Sequence, residues 1–172
     1  EHQRKQSLKS FLDKPALTKG GTEFKLYANI GTPEEAEVAA AEGADGIGLF
    51  RTEFLYMAQG GASLNAAARS FSEQNQFEAY KQVLQIMGDK PVTIRTLDAG
   101  GDKLINSVDI PIVDEKNPLM GMRAVRLSLA YPNLLKTQLR ALFRAGVYGN
   151  LKIMFPLITS VGQVKKLLGL VD

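Results

Sequence analysis

Two arginines stand where a hydrophobic strand should end. In "GIGLFRTEFLYM", residues 46–57, Ile47, Leu49 and Phe50 lead straight into Arg51, followed by Thr52 and Glu53. "PVTIRTLDAGGDK", residues 91–103, repeats the event with Arg95. In parallel α/β folds, functional groups gather at the C-terminal ends of strands. Neighbouring strands lie about 4.8 Å apart, so guanidinium groups on two of them can converge on one ligand. A guanidinium is a planar fork that bonds carboxylate or phosphate oxygens in pairs. The pattern points to an anion with several oxygens. "MGMRAVR", residues 120–126, offers Arg123 as a third donor near the start of a helix, a favourable place for an anion. Lys103, after the Gly100-Gly101 pair, adds a point charge at the same rim.

The same residues admit a plainer reading. An arginine after a strand can simply pair with an acid, here Glu53 or Asp98. "DAGGD", residues 98–102, read alone is a turn, and Arg126 and Arg140 belong to solvated helix faces. Gly100-Gly101 lacks the spacing of a nucleotide-binding loop. The single histidine, His2, lies in a polar terminus and is read as neither catalyst nor ligand. The anion reading rests on the repetition of one arrangement on two strands.

The elements that must position these groups follow from periodicity and punctuation. Residues 3–13 read as a short helix with Leu8, Phe11 and Leu12 on one stripe, ended by Pro15 and Gly20-Gly21. Residues 23–30 alternate Phe24, Leu26, Ala28 and Ile30 as a strand. A helix follows, with Thr32 as N-cap, Pro33 at its first position, Glu35 completing a capping box and Gly43 as its stop. Strand 46–50, a loop rich in small residues, helix 71–87 and strand 91–97 come next. Residues 119–130 and 133–147 read as helices, 151–158 as the last strand, and Ser160 as the cap of a final helix. Phe71, Phe77, Tyr80, Val83, Leu84 and Met87, at helical spacing, are expected in the core. Four strand–helix units with strands apolar at consecutive positions indicate an α/β fold whose parallel sheet is covered on both faces. A doubly wound open sheet and a (β/α)8 barrel compete. A full barrel needs roughly 250 residues, so the 172 here suffice for about half of one.

Composition narrows the function. A hydrophobic fraction of 45% supports one domain with its own core. The absence of cysteine excludes disulfides and thiolate metal sites and accords with a reducing compartment. No apolar run approaches the ~20 residues of a membrane span, and the polar N-terminus is no secretory signal. A cytoplasmic location is expected, without membrane association. The net charge is +3 with a pI near 9.1, and the basic residues are scattered, so a nucleic-acid partner is not expected.

Taken in order, "LYANIGTPEEAEVAAAEGADGIGLFRTEFLYM", "IRTLDAGGDK", "NPLMGMRAVRLSL" and "LKIMFPLITSV" resemble Enzyme I of the bacterial sugar phosphotransferase system, a phosphoenolpyruvate-protein phosphotransferase family. The resemblance runs from about Leu26 to Val161. Pyruvate phosphate dikinase and phosphoenolpyruvate synthase share such a barrel, but "RTEFLYM" and "RTLDAGGDK" are more similar to Enzyme I. The resemblance implies the first half of a TIM-type (β/α)8 barrel over residues 23–172, after a connector helix and linker over 1–22. It implies phosphoenolpyruvate as ligand, with Arg51 and Arg95 on its phosphate, Arg123 in support, and Asn29 at the rim. A histidine-containing phosphocarrier protein is the implied partner and Mg²⁺ the cofactor of the parent enzyme.

The departures are equally informative. The family's Gly-Gly-x-Thr-Ser-His acceptor, its Glu-Thr-Pro and Gly-Thr-Asn-Asp magnesium segments and its acid cysteine are all missing. No catalytic or metal-binding residue is therefore assigned within this chain, which is expected to be inactive alone and to self-associate. The competing function is a non-catalytic anion-binding or protein-interaction domain on the same half-barrel.

Overall fold

A strand that ends in an arginine is placed by what surrounds it in the sheet. The computed structural model describes residues 8–12, 14–57, 72–99, 117 and 120–171. Lys103, Gly100-Gly101, His2, Phe71 and the first residues of the expected N-terminal helix lie outside these. After a single 3₁₀ turn at Lys9–Phe11, Ala16–Leu17 (β1) and Glu23–Phe24 (β2) pair antiparallel. Then Tyr27–Ile30 (β3), Glu34–Ala41 (α1), Gly46–Arg51 (β4), Glu53–Met57 (α2), Glu73–Met87 (α3), Val92–Arg95 (β5), Ala124–Ala130 (α4), Pro132–Ala145 (α5), Leu151–Met154 (β6) and Val161–Val171 (α6) follow. Strands β3, β4, β5 and β6 form one four-stranded sheet in chain order, all parallel.

Parallel neighbours taken in chain order and joined by right-handed crossovers put their helices on one face of the sheet. The core agrees: Ile30, Ile47, Phe50, Val92 and Ile94 pack in one cluster with residues of α1, α3, α4, α5 and α6. On the other face Thr93 and Arg95 are half-buried while their neighbours Val92 and Ile94 are fully buried. The expected cover on both faces is thus corrected: among the described residues, helices cover one. Tyr80, Val83, Leu84 and Met87 of α3 lie in the core as their spacing predicts.

Local chemistry explains where the elements stop. Gly43 closes α1 with φ +75°, a conformation that disfavours a side chain, and a Cβ there would lie 2.8 Å from the Leu12 carbonyl oxygen. The expected Thr32 cap is replaced: Pro33 holds the N-cap position without a side-chain bond, and the Glu35 carboxylate accepts the Gly31 N–H at 2.6 Å. Ser72 caps α3 by accepting the Asn75 N–H at 3.2 Å. The strand expected at 23–30 is split, because β2 turns away to pair with β1. Leu26 then donates its N–H to Asp45 Oδ2 instead of a ladder, and Phe24 and Leu26 are left exposed. The last strand is shorter than expected, since Pro156 has no N–H to continue a ladder. The helix expected at 119–130 begins only at Ala124, whose φ of +50° breaks it from the segment before.

One irregularity sets the site. Ala28 pairs with Ile47 and Asn29 with Leu49, so Gly48 is an extra residue in β4. The same slip recurs against β5, where Ile47 pairs with Val92 and Phe50 with Ile94. A bulge reverses which face later residues take. It lets Ile47 and Phe50 both point into the core and turns Arg51 to the opposite face. A Cβ on Gly48 would lie 2.8 Å from Tyr27 Cβ, so the bulge needs glycine.

Candidate anion site at the strand ends

Arg51 and Arg95 are the last residues of β4 and β5 and are register partners. Partners in adjacent parallel strands share a face, so both side chains leave the sheet on the face opposite the core helices, at its C-terminal rim. Their surroundings differ. Arg95 bonds the Glu53 carboxylate through Nη2, and its Nη1 lies 3.1 Å from Asp98 Oδ2. Both acids are ones the plainer reading named. Arg123 reaches the same Asp98, with Nη2 at 2.8 Å and Nε at 3.2 Å from Oδ1. Asp98 thus bridges two guanidinium groups, and "DAGGD" is more than a turn. The side chains are mostly buried, at 17% exposure for Arg95, 14% for Glu53, 13% for Asp98 and 20% for Arg123.

Arg51 pairs with no acid among the described residues. Its guanidinium lies over the Phe54 ring, 4.5 Å from the centroid, an attraction between cation and ring face. Its Nε is buried and unbonded, as are Arg95 Nε and Glu53 Oε2. Buried donors without acceptors are uncommon and call for an explanation. Among the described residues, three guanidinium groups against two carboxylates leave a surplus of one positive charge, with two buried Nε donors unbonded. The cluster is electrostatically suited to an anion.

The other expected residues are less central. Asn29 is exposed on β3, one residue short of the rim. Arg126 donates to the Met120 and Gly121 carbonyls, bracing the turn before α4. Arg140 lies on an exposed helix face, where its Nε donates to Glu73 at 2.8 Å. Sequence reasoning missed a buried polar network behind the rim, in which Thr52, Gln76, Tyr80 and Gln138 meet. Its one signal was polar residues at helix positions that otherwise face the core.

The donors among the described residues do not fit Mg²⁺. Glu53 and Asp98 are engaged by arginines, and among the described residues no group of three His, Cys, Asp or Glu is placed to hold a metal. Among the described residues, too, no helix is long and apolar enough to cross a membrane.

A four-stranded parallel α/β sheet with register-paired arginines at its C-terminal rim defines the class of fold. The chain belongs to a particular family: residues 5–172 match the model of the PEP-utilising enzyme, PEP-binding domain. It is 49% identical over 150 residues to phosphoenolpyruvate-protein phosphotransferases of Bacillus sp. (strain S) and Geobacillus stearothermophilus, a stretch covering 87% of this chain and 24% of each relative. A phosphoenolpyruvate-protein phosphotransferase of Staphylococcus aureus is 44% identical over 162 residues, covering 94% of this chain and 27% of that protein. The chain therefore spans about a quarter of the length of these relatives.

Proposed function

We propose that this chain is the phosphate-holding part of a phosphoenolpyruvate-protein phosphotransferase, and that Arg51 and Arg95 bind the phosphoryl oxygens of phosphoenolpyruvate. The observation that carries the reading is the register pairing of Arg51 with Arg95, with buried Nε donors on both left unused. Phosphoryl transfer asks a protein chiefly for positioning and charge neutralisation around the moving group. Arg123, tied through Asp98 to Arg95, supports the clamp; Asn29 and Lys103 are assigned to its rim from the sequence, Lys103 lying outside the described residues.

In this reading residues 23–172 are the first half of a TIM-type (β/α)8 barrel, and residues 1–22 are the connector before it. The one-faced sheet in chain order supports this, because a barrel's strands follow in chain order with every helix outside. The parent enzyme passes the phosphate to a histidine and on to a histidine-containing phosphocarrier protein, in the cytoplasm, to drive sugar transport. Mg²⁺ is held by carboxylates of the parent that this chain does not carry.

Titration of the 172-residue chain with phosphoenolpyruvate, followed by calorimetry or NMR, tests the clamp. Weak saturable binding is expected, lost in Arg51→Ala and in Arg95→Ala and kept in Arg140→Ala. Equal binding by all four proteins would remove the assignment.

A further inference from the structure

The polar network behind the rim has a centre. Gln138, on α5, is 3% exposed. A buried primary amide is costly unless its acceptor and both donors find partners. Here Oε1 accepts the Leu97 N–H at 3.0 Å. Nε2 donates to Tyr80 Oη at 3.0 Å and to Thr52 Oγ1 at 3.3 Å. The chain of donors continues on both sides. Tyr80 Oη donates to Gln76 Oε1 at 3.1 Å, and Thr52 Oγ1 donates to the Arg95 carbonyl at 2.9 Å.

The partners are the backbone of the anion site. Thr52 lies between Arg51 and Glu53. Leu97 immediately precedes Asp98, the carboxylate shared by Arg95 and Arg123. Beyond Arg95 the chain leaves the regular ladder after one more bond, from Thr96 N–H to the Met154 carbonyl at 2.9 Å. The next N–H, that of Leu97, is fixed by a helix side chain. A leucine or methionine at 138 would fill the same space without the desolvation cost. The amide instead fixes the two segments that carry the charged groups against each other, and fully bonded buried networks are stiff.

We propose that Gln138 is a positioning residue for the arginine cluster. It acts through Leu97 on Asp98, and so on Arg95 and Arg123, and through Thr52 on the end of β5. It touches no ligand itself. The consequence for ligand affinity rests on the anion-binding reading above; the effect on the arginines does not. Placement errors of about an ångström are enough to weaken a multi-point clamp severely.

The test uses the full chain and two readouts. One is the assigned Nε–Hε NMR resonances of its arginines; the other is the Kd for phosphoenolpyruvate. In Gln138→Met, the Arg95 and Arg123 resonances should shift or broaden, while that of Arg140, two residues along α5 and bonded to Glu73, stays in place. The Kd should rise about tenfold, the scale of one lost hydrogen bond. Unchanged Arg95 and Arg123 resonances overturn the proposal. So does an equal disturbance of Arg140, which would mean that the helix as a whole has loosened. If the wild type does not bind phosphoenolpyruvate but the two resonances still move, positioning stands and the ligand assignment falls. Should Gln138→Met fail to fold, Thr52→Val deletes one hydroxyl of the same network. It should move the Arg95 resonance, and no movement there overturns the proposal equally.

Discussion

Arg51 and Arg95 carry the same charge on adjacent strand ends, yet their deletion should have different consequences. Removing Arg95 leaves Glu53 without its partner and takes one of the two guanidinium groups from Asp98, and both acids are mostly buried. Uncompensated buried charge is the expensive outcome of breaking an ion pair. Arg95→Ala should destabilise the chain by about 2–3 kcal/mol, allowing for partial solvent screening. Arg51→Ala orphans no acid among the described residues and sacrifices the contact with Phe54, so the loss should stay below about 1 kcal/mol. Both should abolish anion binding. Urea unfolding beside a phosphoenolpyruvate titration separates the two effects, and equal stability losses would contradict the asymmetry. Arg51 and Arg95 were visible in the sequence because charge at the end of an apolar strand is conspicuous, and Arg123 and the two acids because they stand close by in the chain or at a helix start. It could not say which arginine takes which acid, since that depends on side-chain reach across strands 44 residues apart. Gln138 stayed hidden for the same reason: one glutamine in an amphipathic helix looks like surface until its partners are known.

At the level of elements, the bulge at Gly48 decides which way Arg51 points. Gly48→Ala brings a Cβ against Tyr27 Cβ at 2.8 Å, where neither backbone can easily yield. The expected cost is about 1–3 kcal/mol, with weakened anion binding as Arg51 loses its register with Arg95. Gly169→Ala, with open space around it, is the control. A second link joins α3 to α5 on the outer surface. The Arg140 and Arg144 guanidinium groups both bond Glu73, at 2.8 and 2.7 Å. The hydrogen bond from Arg140, then that from Arg144, holds the Glu73 carboxyl below its ordinary value of 4.5. A depressed carboxyl stabilises the fold above its unfolded pKa and loses that contribution as pH falls through the folded one. Glu73→Gln should therefore lower the Tm at neutral pH, with the gap to wild type closing as the medium is acidified below about pH 4. A gap independent of pH would refute the linkage. Strand–helix order, the α3 core stripe and the Gly43 stop were legible because each is a local pattern. The split of residues 23–30 was not: alternation predicted Phe24 and Leu26 inside, but β2 found a partner in β1. Nor could alternation reveal the bulge, which exists only relative to the neighbouring strands.

At the scale of the whole chain the question is what the arginines can do alone. The sequence holds one histidine, His2, and no cysteine, and on the proposed reading neither a phosphoryl acceptor nor a thiol acid is assigned beside the arginines. Incubated with phosphoenolpyruvate, Mg²⁺ and the carrier protein, the chain should phosphorylate nothing above the enzyme-free blank; transfer by the purified chain would refute this. Its surface makes a separate demand. Strands β3 and β6 are the two edges of the sheet, and apolar residues gather near both. Around β3, Phe24, Leu26 and Tyr27 are at least half exposed. Beyond β6, Leu157, Ile158, Val161, Val164 and Leu168 are exposed. Unpaired edges invite strand addition, and patches of this kind on a soluble domain mark contact surfaces. Two copies about a two-fold axis can set β6 of each beside β3 of the other, giving an eight-stranded parallel ring that closes both edges at once. Light scattering coupled to gel filtration at micromolar concentration should therefore give at least twice the 18.8 kDa of one chain. Leu168→Glu together with Tyr27→Lys, both at exposed positions, should shift the population towards monomer without loss of helix content. A wild-type monomer with a sharp, cooperative thermal transition would mean that the sheet is stable with its edges open, and the paired-edge assembly would have to be abandoned.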